Sequence, residues 1–521
     1  MGRTGCVVSA PTLASLLLGL HGAELVRGSA EVVIAGVEHD SRSVVASSLF
    51  VAVPGLTVDG HAYLVDALEA GAAAVVVERG RRGAWRHLPG DAPIVAVDDA
   101  RTALAQAAAA FYGHPSRELT VIGVTGTDGK TTTTHLLTAV LEAAGARVGR
   151  LGTVDAYVPG TDITGHTARM TTPEAPQLQR LLREMVDAGC AYAIIEATSH
   201  GLALGRLDEI AFDVAAFTNV TSDHLDFHKS VEAYRAAKGA LFAALDQSPA
   251  REGGPPKAAI ANADDPSSGF MPAQTSARAI RYGIEATDVD VSARDIELRP
   301  DGSRFRLVVP GAEVAAEIHL PALFNVSNAL AAAAVAVAVG IEPHAIARGL
   351  AACPGVPGRM ESINAAQPFD VVVDYAHTGE AVRKVLEVLR GVTGGRLIIV
   401  VGAAGERDPG RRAGVGRAAA EGADFAVFTS EDPRSEDPET IVAEIGRHAQ
   451  DAGGIRGRDF VEVVERREAI TTALTRAAPG DLVVICGKGH ERSIEMGDRT
   501  IPWDDRDVTR EELAKLGHTG A

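Results

Sequence analysis

The stretch VIGVTGTDGKTTTTHLL, residues 121–137, decides the reading of the chain. A β-favouring run breaks at Gly126 and Gly129, and the sequence resumes as a threonine-rich helical pattern opening with Lys130 and Thr131. Backbone N–H groups of such a turn and of the first helical turn form a cradle for phosphate oxygens. Lysine there neutralises phosphate charge, and threonine offers an oxygen to magnesium. The spacing is a short Gly-x-x-Gly-Lys-Thr form, because a full Walker A pattern would need glycine where Val124 stands. Strand before and helix after are the context in which this pattern holds a nucleoside triphosphate.

Working outward, 521 residues exceed what one hydrophobic core serves, and the length predicts about three domains. Acidic residues number 68 against 50 basic ones, a formal charge of −18 spread along the chain, which disfavours a nucleic-acid surface. Four cysteines, Cys6, Cys190, Cys353 and Cys486, lack ligand-like spacing, so neither a zinc cluster nor a disulfide framework is expected. The opening twenty residues have too short an apolar run for a secretory signal, and the Ala/Val runs, including 329–340, are too short or interrupted to span a membrane. A soluble cytoplasmic protein is the expectation.

Strand candidates at 31–36, 48–53 and 73–77 suggest a small α/β domain over residues 1–118, ending at the SREL stretch. Strands at 191–195 and 214–217 alternate with helical patterns at 177–187 and 231–242, which predicts a central nucleotide-binding α/β domain over 119–354. Glycine and proline in CPGVPGRME mark the next boundary. Strands at 370–374, 396–401, 425–429 and 481–486 then predict a third, Rossmann-like domain over 355–521. It lacks a dinucleotide fingerprint, since the GAAG at 402–405 is too weak a signal for NAD.

A second chemical region is IIEATSHGLALGR, 194–206, followed by FTNVTSDHLDFHKSVEAYRAAKGALF, 217–242. Glu196 follows an apolar strand, where a carboxylate points into a cleft at the sheet's carboxyl end. Asp223, His224, Asp226 and His228 share a polar turn, with Lys238 on the helix beyond it. Hard oxygen donors suit magnesium, and imidazole is a less usual addition.

These segments, in this order, resemble the Mur ligases over almost the whole chain. The resemblance implies a three-domain α/β fold with a small N-terminal domain, a central P-loop ATPase-like domain and a C-terminal Rossmann-like domain. It implies an ATP loop over 125–132, with Gly126, Thr127, Asp128, Gly129, Lys130, Thr131 and Thr132 as contacts and Asp128 standing where asparagine is usual. Thr131, Glu196 and His224 become magnesium positions, and Lys238 matches a lysine that is carbamylated in these ligases, giving an anionic oxygen donor. Lys130, Glu196, His224 and Lys238 are thereby the catalytic set.

The same resemblance assigns Ser41, Arg42 and His61, in HDSR and PGLTVDGHAY, to a uridine-nucleotide substrate. It assigns Thr171, Thr172, Ser199 and Arg206 to the muramoyl dipeptide, with a salt bridge from Arg206 to Asp208 as the plain alternative. Asn262, Asn325, Asn328, Arg359, Asp374 and His377 become ATP contacts, and Gly379 stands where proline usually follows DYAHT. Arg412, Asp432, Arg434, Gly487 and Glu491 become contacts to an incoming amino acid. Diaminopimelate-adding members normally carry Asp-Asn-Pro-Arg where this chain has Glu431-Asp432-Pro433-Arg434. An anion at 432 makes lysine or ornithine serious alternatives to meso-diaminopimelate.

The implied reaction is ATP-dependent ligation of a diamino acid to UDP-N-acetylmuramoyl-L-alanyl-D-glutamate through an acyl phosphate, by a monomer with no nucleic-acid or membrane partner. A folylpolyglutamate-synthase-like ligase shares the ATP core, but HDSR and DGH argue against it. A noncatalytic ATP-binding cell-wall protein is the other alternative.

Overall fold

In the computed structural model, residues 10–55, 58–161, 170–221, 225–408 and 410–519 are described. They fall into two compact units, Met1–Lys130 with Gly145–Arg281 and Ala338–Gly340, and Thr131–Ala144 with Tyr282–Val337 and Ile341–Ala521.

The first unit holds two sheets. The N-terminal sheet has the strand order Glu24–Arg27, Ile94–Val97, Ala74–Glu78, Ser48–Val51, Gly36–Glu38, parallel except for its antiparallel edge Glu24–Arg27. The expected strand at 31–36 is corrected: Val33 makes only an isolated bridge to Thr12, and the ladder starts at Gly36. Central strands Ser48–Val51 and Ile94–Val97 are buried throughout, as suits a parallel sheet covered on both faces.

In the second sheet of this unit, Thr120–Thr125 lies between Tyr192–Glu196 and Val214–Phe217, all parallel. Ala258–Asn262 extends it on one side, and Val148–Leu151 with the antiparallel Ala156–Tyr157 extends it on the other. Register fixes the chemistry: Val124 faces Glu196 and Thr125 faces Phe217, so the phosphate loop, Glu196 and the segment after Phe217 emerge at one sheet end. Helices Ala175–Asp187 and Val231–Gln247 supply Leu178, Leu181, Leu182, Met185, Leu241, Phe242 and Leu245 to the core.

The second unit contains the helix Lys130–Ala143 from Thr131 onward, an antiparallel meander of Val291–Arg299, Gly302–Val309 and Ala312–Ile318, and the C-terminal sheet. The meander was not foreseen as such; its alternating buried and exposed pattern along Gly302–Val309 is that of a half-covered strand. Helix Pro343–Ala352 lies so close to helix Lys130–Ala143 that a β-carbon on Gly349 would stand 2.3 Å from the Val140 α-carbon.

The C-terminal sheet runs Glu361–Ser362, Asp370–Asp374, Leu482–Cys486, Leu397–Val401, Phe425–Phe428, Phe460–Glu462, parallel except at Glu361–Ser362. Apolar clusters cover both faces. Strand order departs from chain order at Leu482–Cys486, and sites in open α/β sheets form at the carboxyl ends of strands near such switch points. At the carboxyl ends of two of these strands, fully buried Arg466 donates to both oxygens of Asp505, at 2.8 and 2.6 Å, and to the carbonyls of Ser430 and Cys486. Asp505 also accepts from the Trp503 indole at 2.8 Å.

No helix among the described residues is long and apolar enough to cross a membrane. Removing one member of a buried pair strands the other charge, at a cost of about 3–5 kcal/mol. Asp505→Ala is therefore expected to lower the calorimetric unfolding midpoint by several degrees, and a shift under about 1 °C would contradict the anchoring role.

Candidate active site

The loop after Thr120–Thr125 can turn only because residue 126 is glycine. Gly126 has φ +155°, and a β-carbon there would lie 1.8 Å from the Thr218 hydroxyl oxygen. Gly129, at φ +83°, supplies the second turn before the helix starts at Lys130. The loop is pinned from the neighbouring strand. Thr218 Oγ1 donates to the Asp128 carbonyl at 2.6 Å, and Asn219 Oδ1 accepts from the Asp128 N–H at 2.9 Å. The Asn219 carbonyl accepts from Thr127 N–H at 2.8 Å. The exposed residue 128 is thus held through its backbone.

Two lysines converge on this loop. Lys130 Nζ donates to the carbonyls of Gly126 and Thr127, at 2.9 and 2.7 Å. Lys238, 1% exposed, donates to the same Gly126 carbonyl at 2.6 Å, with its ammonium 4.3 Å from the Tyr234 ring centroid. Tyr234 in turn brings its hydroxyl to 3.1 Å from Thr127 Oγ1. His228 is buried in an aromatic stack with His200, Phe227 and Tyr234. His224 and Asp223 lie outside the described residues, as does the side chain of Asp226. Among the described residues, no three His, Cys, Asp or Glu side chains gather as a metal-binding group.

Glu196 ends its strand with a fixed carboxylate. Oε1 accepts from the Thr153 N–H at 3.1 Å and Oε2 from the Thr153 hydroxyl at 3.0 Å. A β-carbon on Gly152 would stand 2.1 Å from Oε1, so the approach is as close as backbone allows. Thr171 Oγ1 lies 3.0 Å from Thr153 Oγ1, and Thr172 Oγ1 donates to the Glu196 carbonyl at 2.8 Å. Ser199 opens the short helix Ser199–Ala203, capped by Thr198. Arg206 pairs with Glu174 at 2.8 Å rather than with Asp208, and donates to the Thr172 carbonyl at 3.2 Å. Thr171, Thr172 and Arg206 therefore form one network with Glu196, and Ser199 follows Thr198, whose hydroxyl lies 2.9 Å from Thr172 Oγ1. Asn262 serves the same sheet end, donating to the Thr218 carbonyl at 2.8 Å.

In the N-terminal part, Arg42 is exposed and forked onto Asp40, which caps the turn Ser41–Ser43. His61 is buried with both ring nitrogens engaged, Nδ1 with Asp59 at 2.8 Å and Nε2 with the Glu78 N–H at 3.0 Å, so it acts here as a strut.

The remaining predicted residues belong to the second unit. Thr131 and Thr132 are buried in the first turn of helix Lys130–Ala143. Asn325 and Asn328 are bonded to one another at 3.1 Å on helix Leu323–Ala338. Asp374 accepts from the Met360 and Ala376 N–H groups at 2.9 and 2.8 Å, while burial, opposed by Arg359, pushes its carboxyl pKa up. Burial lowers the His377 pKa, favouring neutral imidazole, and its Nδ1 lies 2.9 Å from the Tyr375 carbonyl.

Around the amine-directed segments, three carboxylates gather near one lysine. Lys488, 1% exposed, reaches Asp432 Oδ1 at 2.8 Å and Glu491 Oε2 at 2.5 Å. Glu431 is buried beside them, and Gly487, at φ +115°, leaves room for its carboxylate: a β-carbon there would lie 3.0 Å from Oε2. Burial pushes the Glu431 pKa up to about 7, the nearby Arg466 and Lys488 holding it down and Asp432 and Glu491 raising it. Arg434 is turned onto Glu495 at 3.1 Å, and Arg412 is clasped by Glu436 and Glu444 at 2.6 and 2.7 Å. Neither arginine is an open cation in this geometry. Lys488 and Glu431 were not among the expected site residues; the acids at 431–432 and a lysine 56 residues beyond Asp432, next to Gly487, were the available signal.

Three family profiles match the chain: the Mur ligase family catalytic domain at residues 33–112, the Mur ligase middle domain at 124–336, and the Mur ligase glutamate ligase domain at 358–489. The UDP-N-acetylmuramyl-tripeptide synthetase of Roseiflexus sp. (strain RS-1) is 47% identical over 497 residues, covering 94% of this chain and 96% of the relative. The UDP-N-acetylmuramoyl-L-alanyl-D-glutamate–2,6-diaminopimelate ligase of Bacillus licheniformis is 41% identical, covering 97% and 99%. A solved structure of a ligase with that same designation is 30% identical, with TM-score 0.68, and covers 98% of this chain and 100% of its own. The chain therefore belongs to the Mur ligase family and has that family's three-domain α/β architecture.

Proposed function

We propose that this chain is an ATP-dependent acid–amino-acid ligase that joins a diamino acid to UDP-N-acetylmuramoyl-L-alanyl-D-glutamate in peptidoglycan synthesis. The observation that carries this reading is the full-length relationship to tripeptide synthetases, together with a pinned phosphate loop beside the Glu196 network. Residues 1–118 bind the UDP end of the acceptor, 119–354 carry ATP chemistry, and 355–521 take the amino acid. The three matched domains lie in one chain, so a monomer is the simplest working form.

In this reaction a carboxylate oxygen of the acceptor attacks the γ-phosphorus of ATP and ADP leaves, giving an acyl phosphate. The amine of the diamino acid then attacks the acyl carbon; phosphate departs and the nitrogen loses a proton. Lys130 and the loop N–H groups stabilise charge on the transferring phosphoryl group. The Thr131 hydroxyl, the Glu196 carboxylate and His224 would hold magnesium, and the fixed hard-oxygen chemistry of Glu196 suits that ion. Bound magnesium neutralises phosphate charge. Carbamylation of Lys238 fits the same set. Its ammonium and that of Lys130 share one carbonyl oxygen, and adding carbon dioxide to the Lys238 nitrogen, with loss of two protons from the ammonium, replaces one of two like charges with an anionic donor.

Charge in the second unit favours an amino acid ending in an ammonium group without a distal carboxylate, lysine or ornithine rather than meso-diaminopimelate. Glu431, Asp432 and Glu491 outnumber Lys488, and Arg434 is occupied by Glu495.

Purified Lys130→Ala and Lys238→Ala are each expected to lose about 100-fold or more in product formation, followed by mass spectrometry, with the thermal transition retained; wild-type turnover in either would remove its role. Asp432→Asn leaves Lys488 less neutralised, so the ratio of kcat/KM for meso-diaminopimelate over lysine or ornithine should rise about tenfold. An unchanged ratio would eliminate Asp432 as a selector. Glu431 binds its proton more tightly when folded, near pH 7 against an ordinary 4.5, so it lowers stability progressively across that interval and by a constant amount above it. The stability advantage of Glu431→Gln over wild type, read by scanning fluorimetry, should therefore grow from about pH 4.5 to about 7 and then level off. A pH-independent difference would contradict the assignment.

A further inference from the structure

Tyr375 stands between two groups of side chains that the reading above gives different tasks. On one side the Arg359 guanidinium lies over its ring, 4.7 Å from the centroid, and the His377 ring is at 4.7 Å. On the other, the Tyr375 hydroxyl donates to Glu491 Oε1 at 3.2 Å, while Lys488 holds Oε2. His490 packs on the same ring at 4.8 Å, and burial, with the nearby cations Arg359, Arg506 and Lys488, lowers its pKa to about 4, so it is neutral and adds no competing charge. Burial and the Glu491 charge push the Tyr375 phenol up to about 12, so it remains a donor throughout the working pH range.

The backbone around this ring is closely fitted. A β-carbon on Gly489 would stand 2.8 Å from the α- and β-carbons of Tyr375, and one on Gly358 would stand 2.1 Å from the Gly489 carbonyl carbon. Segments 358–360, 374–377 and 487–491 thus pack as one block, with Tyr375 as the side chain that touches the functional groups on each.

We propose that Tyr375 is a positioning residue for the incoming diamino acid, its hydroxyl fixing the Glu491 carboxylate and its ring seating Arg359. The assignment rests on the reading that Glu491 receives the distal ammonium of that substrate. A carboxylate held at both oxygens, by Tyr375 and Lys488, presents its remaining lone pairs in one direction and loses less side-chain freedom when an ammonium arrives. Without the hydroxyl, Glu491 pivots about the Lys488 contact alone. The ring, by contrast, serves the nucleotide side through Arg359, so the two halves of the residue have separable effects.

The test uses the full-length enzyme with saturating UDP-N-acetylmuramoyl-L-alanyl-D-glutamate, measuring KM for ATP and for the best of lysine, ornithine and meso-diaminopimelate. Tyr375→Phe should raise KM for the diamino acid about tenfold while kcat stays within about twofold and KM for ATP is unchanged. Tyr375→Leu should raise both KM values, because the seat of Arg359 is lost as well. An unchanged amino-acid KM in Tyr375→Phe, or an equal rise for ATP, would overturn the positioning role. Absence of ligation by the wild-type enzyme with all three amino acids would instead overturn the reading of the pocket, and this proposal with it.

Discussion

At position 126 the chain passes so close to Thr218 that no side chain fits, and the first unit's chemistry depends on that contact. It lets Thr218 and Asn219, at the end of one strand, bond the loop that leaves the neighbouring strand. The loop's shape is thereby set by neutral hydrogen bonds before any phosphate arrives. Its Gly126 carbonyl, turned inward, then collects both Lys130 and Lys238. Parallel register carries the arrangement to Glu196, because the residue facing Val124 across the ladder is the one whose carboxylate Thr153 holds. A substitution at Gly126 would disturb the strand end, the loop and two lysines together.

The second unit solves a different electrostatic problem. Several carboxylates must be kept close in a partly dry environment, and like charges there repel strongly. Lys488 offsets two of them, Asp432 and Glu491, while the third, Glu431, is left with its pKa pushed up to about 7. Arg466, tied to Asp505 and to the carbonyls of Ser430 and Cys486, holds the Glu431 pKa down together with Lys488. The pocket retains a negative bias that a cationic side chain relieves.

The strands most legible in the sequence were those with a single job. Val214–Phe217 and Asp370–Asp374 match their expected limits because continuous apolar runs between turn residues leave little freedom. The 31–36 segment misled because its apolar residues pack beside a strand that begins only at Gly36. Family motifs located Glu196, Lys238 and Glu491 by number. What they could not convey was which charges are already engaged: the partners of Arg412, Glu436 and Glu444, lie 24 and 32 residues away, and nothing local marks them. For Arg206, assigned to the substrate with Asp208 as the plain alternative partner, the fold supplies Glu174.

Glu196 and Glu491 show how the same side chain is set up for two ends. Both are held at two oxygens, which fixes direction in each case. Thr153 holds Glu196 with an amide and a hydroxyl, donors that carry no net charge, and hard carboxylate oxygens fixed in this way suit a small divalent ion. Glu491 is held by a phenol and an ammonium, and Lys488 already answers part of its charge. An incoming ammonium therefore binds by direction and fit more than by raw attraction. A substrate site benefits from that balance, because the same group, still charged in the ligated product, has to leave again.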